Sequence, residues 1–226
     1  MMRLGVPVPD GFTVITQACV ESMHSDGKWP AGLRAQIADG LRRFEERTGR
    51  RLGGKEKPLL VSVRSGAVVS MPGMMDTILN LGISDETVEA VAAEANNERF
   101  AWDCYRRFIQ MYGEVVEGVS QQLYEDALSA KKAARGAAAD TDLTAEDLKE
   151  LVAEFKQISN DALGGDWTTD PVEQLYRAVD AVFRSWDNPR AEVYRKANNI
   201  SRDLGTAVNV MLTKRSEERR VEKECR

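Results

Sequence analysis

Between Pro30 and Gly49 the apolar residues Leu33, Ile37, Leu41 and Phe44 fall four, four and three positions apart, with charged residues between them. That spacing lines one face of a helix. An amphipathic helix is expected here, with Pro30 near its first turn and Gly49 as its stop. The flanking stretches read differently. Phe12–Ile15 follows a Pro-Asp-Gly turn and is β-prone, and "TQACVESM" opens a short helix. Leu59–Val63, after the polar loop "GGKEKP", reads as a buried strand.

After Gly82 the strand signal fades. "SDETVEAVAAEA", "NERFAWDCYRRFIQMYGEVV", "SQQLYEDALSAKKAA", "LTAEDLKELVAEFKQIS" and "DPVEQLYRAVDAVFRSW" all carry helical spacing. In the fourth, Thr144 and Asp147 make a capping-box pattern. Leu148, Leu151, Val152, Phe155 and Ile158 then share a face. "FRSWDNPRAEVYR" ends one helix at Asp187-Asn188-Pro189 and starts another, a joint that buries Phe183 and Trp186. The expected fold class is α+β and predominantly helical. It divides into an α/β part over residues 1–83, a helical subdomain over 84–196 and a returning segment over 197–210. Residues 211–226 are expected as a charged tail without order. From Lys214 that tail holds six Lys/Arg and four Asp/Glu, and no apolar face.

Composition narrows the function classes. A chain of 226 residues suffices for one sizeable domain or two small ones, and 42% apolar with 30% charged residues suits a soluble protein. No apolar run nears a membrane span and no signal-peptide core is visible, so a cytoplasmic protein is expected. A net charge of −5 provides no global field for nucleic acid or an anionic membrane, so any polyanion must be held by a few placed cations. The single histidine, His24, excludes a multi-histidine metal site. Cys19, Cys104 and Cys225 lack metal-ligand spacing, and the first two read as buried small hydrophobes.

Candidate chemistry concentrates in "VSVRSGAVVSMPGMMDTILNLG", residues 61–82. Arg64 stands where alternation breaks at a strand end, and Ser65, Gly66 and Ala67 permit close backbone approach, Gly66 with access to positive φ. A guanidinium beside backbone N–H groups suits phosphate oxygens. An exposed arginine after a strand is the competing reading of the pentad alone. Pro72-Gly73 makes a mobile turn, and Asp76 or Thr77 could cap a helix suggested by Ile78, Leu79 and Leu81, giving an anion-binding N-terminus. Met74 and Met75 could equally plug a core gap. No Gly-Lys-Ser/Thr follows, so this is not a P-loop. Arg106 and Arg107 are adjacent on a helix and point about 100° apart, so one serves a site or salt bridge and the other solvent.

The same stretch, with "RFAWDCYRRFIQMYG", "DTDLTAEDLKELVAEFK", "AVFRSWDNPRAEVYR", "DLGTAVNV" and the opening "LGVPVPDGFTVIT", resembles the N-terminal nucleotide-binding domain of the pyruvate, phosphate dikinase family. The likeness runs from Leu4 to Val210, and the charged tail over residues 211–226 is expected to lie outside the family pattern. It implies a partial ATP-grasp lobe and a reaction in which ATP, phosphate and pyruvate become AMP, pyrophosphate and phosphoenolpyruvate. In that family the domain binds Mg·ATP and passes a phosphoryl group to a carrier histidine on another domain. By the resemblance, Arg64 is the phosphate-binding arginine. Gly73, Met75, Asp76 and Thr77 belong to the mobile loop over the triphosphate, and Arg107 faces the site in preference to Arg106. Mg²⁺ enters with ATP, its protein ligands and the carrier histidine having no counterpart in this chain. The expectation is therefore a part of a dikinase, inactive alone and weak in nucleotide binding, whose full-length relatives form homodimers. Two alternatives stand beside it: a non-enzymatic helical binding or regulatory module, and a part of a phosphoenolpyruvate synthase. The synthases share an "RSSA"-like strand end but follow it with a different loop.

Overall fold

The computed structural model describes residues 8–213. Over these residues the chain forms two compact units, one from residues 8–50, 59–79 and 179–213 and the other from residues 51–58 and 80–178. Together they contain eight α-helices and four strands among the described residues, an α+β composition in which helix outweighs strand.

The first unit is built on a sheet of order β1-β4-β2-β3, comprising β1 (Gly11–Val14), β4 (Val208–Leu212), β2 (Val61–Ser65) and β3 (Thr77–Leu81). β4 runs antiparallel to both β1 and β2, with Thr13 and Arg64 each paired to Asn209, and Phe12 and Val63 each paired to Val210. Side chains alternate across a sheet, so register sorts them. Val14, Val61, Val63, Val208 and Val210 are buried on one face. α2 (Leu33–Thr48) covers that face with the predicted stripe of Leu33, Ile37, Leu41 and Phe44. The Phe12 and Phe44 rings meet edge to face at 6.3 Å. Gly40 of α2 allows this approach, since a Cβ there would lie 3.2 Å from the Phe12 ring. α2 ends at Gly49 with φ of 65°, the left-handed stop that glycine supplies without strain.

Three expectations change here. Residues 77–81 form strand β3 instead of the helix suggested by Ile78, Leu79 and Leu81. A five-residue stretch is too short for its period to separate helix from strand, and pairing at the sheet decides it. β2 begins two residues later than expected, so Arg64 lies within the ladder and not beyond its end. Met211 and Leu212, grouped with the charged tail, are ladder residues of β4, and Thr213 N–H donates to Leu60 O at 2.9 Å. The rest of that tail lies outside the described residues.

The remaining first-unit elements are α1 (Thr16–His24), the end of α7 (Pro171–Ser185) and α8 (Pro189–Ala197). Asn188 caps α8 by accepting from Ala191 N–H at 2.7 Å, with Pro189 in the first turn.

The second unit is helical: α3 (Val88–Ala95), α4 (Glu98–Val115), α5 (Gln121–Arg135), α6 (Ala145–Ala162) and the start of α7. α4 packs on α6 and α5 on α6. Their core contains Phe108, Tyr112, Tyr124, Leu148, Leu151, Val152 and Phe155, all nearly inaccessible. Thr144 and Asp147 form the expected capping box, each side chain bonded to the other's backbone N–H.

Candidate functional site

The face of the sheet opposite α2 differs in chemistry. Register places Thr13, Asn209 and Arg64 in one row across β1, β4 and β2, with Ser62 and Met211 in the row beside it. Thr13 Oγ1 donates to Asn209 Oδ1 at 2.7 Å. Arg64 is half-buried, the partly wet environment in which a guanidinium can reach a ligand. β2 delivers this cation because Val61 and Val63 commit the alternate positions to the core, which turns Ser62 and Arg64 to the other side.

Gly66, one residue past β2, has a different reason for being glycine than the sequence suggested. Its φ is not positive. Its N–H donates to Ala207 O at 2.8 Å, so it is occupied by the sheet. A Cβ there would lie 2.5 Å from Asn209 Nδ2. The glycine makes room for the asparagine amide.

The loop from Gly66 to Asp76 is moored to the α7–α8 joint. Met71 is buried with Trp186 and Ala191, and Ala67, Met74 and Met75 pack around them. Asn188 Nδ2 donates to Met74 O at 2.9 Å, and Arg190 faces Asp76 at 3.6 Å. Burial pushes the Asp76 carboxyl above its usual range, against the pull of Arg190. At the tip, Met74 N–H donates to Met71 O at 3.2 Å and Gly73 takes φ of 71° with open space around it. Met71 and Met75 are thus loop anchors. Thr77 opens β3, so no helix N-terminus exists here to hold an anion. The joint has its own clamp: Asp187 accepts from Arg202 at 2.7 and 3.0 Å and from Arg195 at 3.1 Å. Arg195 also lies 4.8 Å from the Trp186 ring centroid.

Arg64, Gly73, Met75, Asp76 and Thr77 therefore share the first unit, while Arg107 lies in the second. There, Arg106 is 4% exposed and donates to Asp103 at 2.9 and 3.1 Å and to Gln110 at 3.2 Å. Arg107, at 23% exposure, faces the other Asp103 oxygen as an ion pair at 3.1 Å. Both arginines of "YRRF" thus engage one carboxylate, Arg106 wholly and Arg107 from a wetter position. Sequence reasoning missed Asn209. The alternation in "AVNVM", a polar residue between two valines, was the available signal.

The family model described as "Pyruvate phosphate dikinase, AMP/ATP-binding domain" matches residues 20–219. The chain belongs to this family. It is 53% identical over 211 residues to a pyruvate, phosphate dikinase of Clostridium symbiosum, covering 93% of this chain and 24% of that protein. Identity is 50% over 210 residues to the Giardia intestinalis dikinase, again 93% of this chain and 24% of the relative. A chloroplastic dikinase of Zea mays is 51% identical over 210 residues, covering 93% of this chain and 22% of its own length. The chain thus spans about a quarter of the length of these curated relatives. The family match holds Arg64, the methionine loop and all of β4, and it runs through residue 219. The match thus extends past Val210, where the resemblance in the sequence was expected to end. These relatives are dikinases, which sets the synthase alternative aside.

Proposed function

We propose that this chain supplies the nucleotide-binding part of a pyruvate, phosphate dikinase. Its first unit then serves as a lobe of an ATP-grasp fold, in which Arg64 holds phosphate oxygens of ATP. The observation that carries this reading is the placement of Arg64 on the polar face of the sheet, beside a glycine-tipped loop anchored by methionines at its base. A planar guanidinium offers paired N–H donors to two phosphate oxygens. Gly73 and its neighbours close over the triphosphate while Met71, Met75 and the Asn188 contact keep the loop's root in place. Phosphoryl transfer needs positioning and charge neutralisation more than covalent chemistry, and this wall provides both.

In the whole enzyme the phosphoryl group of ATP passes to a carrier histidine and then to pyruvate, with phosphate as the third substrate and AMP and pyrophosphate as products. Mg²⁺ enters as the counter-ion of the triphosphate. Among the described residues no group of three or more His, Cys, Asp or Glu could hold a metal ion, so no side chain here is assigned to it. A nucleotide contact by Arg107 is a separate proposition, since its guanidinium already balances Asp103. A homodimeric whole enzyme in the cytoplasm is part of the same proposal. Among the described residues no helix is long and apolar enough to cross a membrane.

Calorimetric titration with Mg·ATP tests this reading. Arg64→Ala is expected to weaken binding on the order of a hundredfold, the loss of two charge-assisted hydrogen bonds. Arg64→Lys should fall between, keeping charge without the fork. Equal affinity for all three proteins would overturn the assignment.

A further inference from the structure

We infer that Asn209 is a second phosphate-binding residue, donating its side-chain N–H groups to the same triphosphate that Arg64 holds, with Thr13 as its positioning residue. The inference rests on the nucleotide-binding reading above and goes further by naming the donor set. Asn209 and Arg64 are directly paired across β4 and β2, so their side chains leave the same face a few ångströms apart. An asparagine amide has an acceptor end and a donor end. Here Thr13 Oγ1 fills the acceptor end at 2.7 Å, which fixes the direction of the other. The donor end lies against Gly66, where a Cβ would come within 2.5 Å of Nδ2. Among the described residues the Asn209 side chain makes no other hydrogen bond, so both Nδ2 protons remain for a ligand.

The arrangement suits an anion. A neutral amide beside a cation adds donors without adding a repelling charge, and phosphate oxygens accept from both. A structural asparagine in a strand would close its amide on neighbouring backbone. This one leaves its donors at the lip where the glycine has cleared space, on the row that carries the guanidinium. Three residues distant in sequence, Thr13, Gly66 and Asn209, thus act on one functional group.

The test is nuclear magnetic resonance of the isotope-labelled chain. The Asn209 side-chain NH₂ signal is identified by its loss in Asn209→Asp, and the Arg64 Nε–H signal by its loss in Arg64→Lys. Mg·ATP, inorganic tripolyphosphate and adenosine are titrated in turn. Both signals are expected to move with Mg·ATP and tripolyphosphate and to stay fixed with adenosine. Asn209→Asp should weaken Mg·ATP binding at least about tenfold, since it exchanges donors for a carboxylate. Thr13→Val should weaken it a few-fold and broaden the Asn209 signal while the other cross-peaks keep their positions, which also shows that the variants fold. Movement of Arg64 with a stationary Asn209 signal would overturn this inference and leave the nucleotide reading intact. Stationary signals at both residues would overturn the two together.

Discussion

Asp103 and Asn209 are both polar residues set among apolar neighbours, and the two units treat them in opposite ways. In the helical unit, Asp103 is enclosed by Arg106 and Arg107, while Tyr124 and Ser159 share a buried hydrogen bond of 2.7 Å. Arg99 is spent on the carbonyls of Asp140 and Leu143, each at 2.8 Å. These buried groups find their partners within the unit, as a low-dielectric interior favours. On the sheet face, Asn209 closes only its acceptor end. The lesson is that polar chemistry closed upon itself holds a fold, whereas polar chemistry closed on one side marks a place for a ligand. Charge density alone would have pointed to "YRRF"; the closure of its charges points away from it.

That contrast can be broken by substitution. The largest effect on folding is expected from Asp103→Ala, which strands the buried Arg106 and should cost about 3–5 kcal/mol in urea denaturation. Replacing Asp103 and Arg106 together by Leu and Met should recover most of that loss, because the cation that also loses Asp103, Arg107, reaches solvent. Arg64→Ala is expected to change stability by less than about 1 kcal/mol while abolishing most nucleotide affinity. The reverse outcome, a destabilised Arg64 variant and a nucleotide-blind Asp103 variant, would invert the comparison.

Smaller changes sharpen it. Tyr124→Phe removes one buried hydrogen bond and leaves the Ser159 hydroxyl with its bond to Phe155 O at 2.8 Å, so about 1 kcal/mol is expected. Thr144→Ala removes the N-cap of α6 for about 1 kcal/mol, read from the same denaturation curves. Neither should alter Mg·ATP binding. The smallest effect concerns pH. The hydrogen bonds from Arg202, reinforced by Arg195, hold the Asp187 carboxyl below its usual range. Its stabilisation is present above the unfolded value and is lost as pH falls through the folded one, so the α7–α8 joint should loosen below about pH 4. Asp76 has the opposite sign. Burial raises its carboxyl, so its contribution is full at low pH and is lost as pH rises through the elevated value. Asp187→Asn should flatten the acid limb of the melting curve, and Asp76→Asn should flatten the limb above it.

Much of this was legible from spacing alone. α2, α4 and α6 carry long stripes at three and four, and the caps at Gly49 and Thr144 follow from backbone chemistry that depends on few neighbours. β3 was not legible, because "TILNL" is too short for its period to speak and its pairing partner lies elsewhere in the chain. The reason for Gly66 was hidden in the same way: the atom that excludes a Cβ belongs to residue 209. Arg64 could be singled out by type and place, but its companions Thr13 and Asn209 become visible only when antiparallel register brings three strands together. What local periodicity encodes can be read from one segment; what register encodes cannot.

The most direct measurement is a crystal structure of this chain with Mg²⁺ and a non-hydrolysable ATP analogue. The triphosphate should lie on the sheet face opposite α2, with the Arg64 guanidinium within hydrogen-bonding distance of its oxygens and the Gly73 turn folded toward it. A nucleotide seated against the helical unit alone, with Arg64 touching no phosphate, would contradict the account.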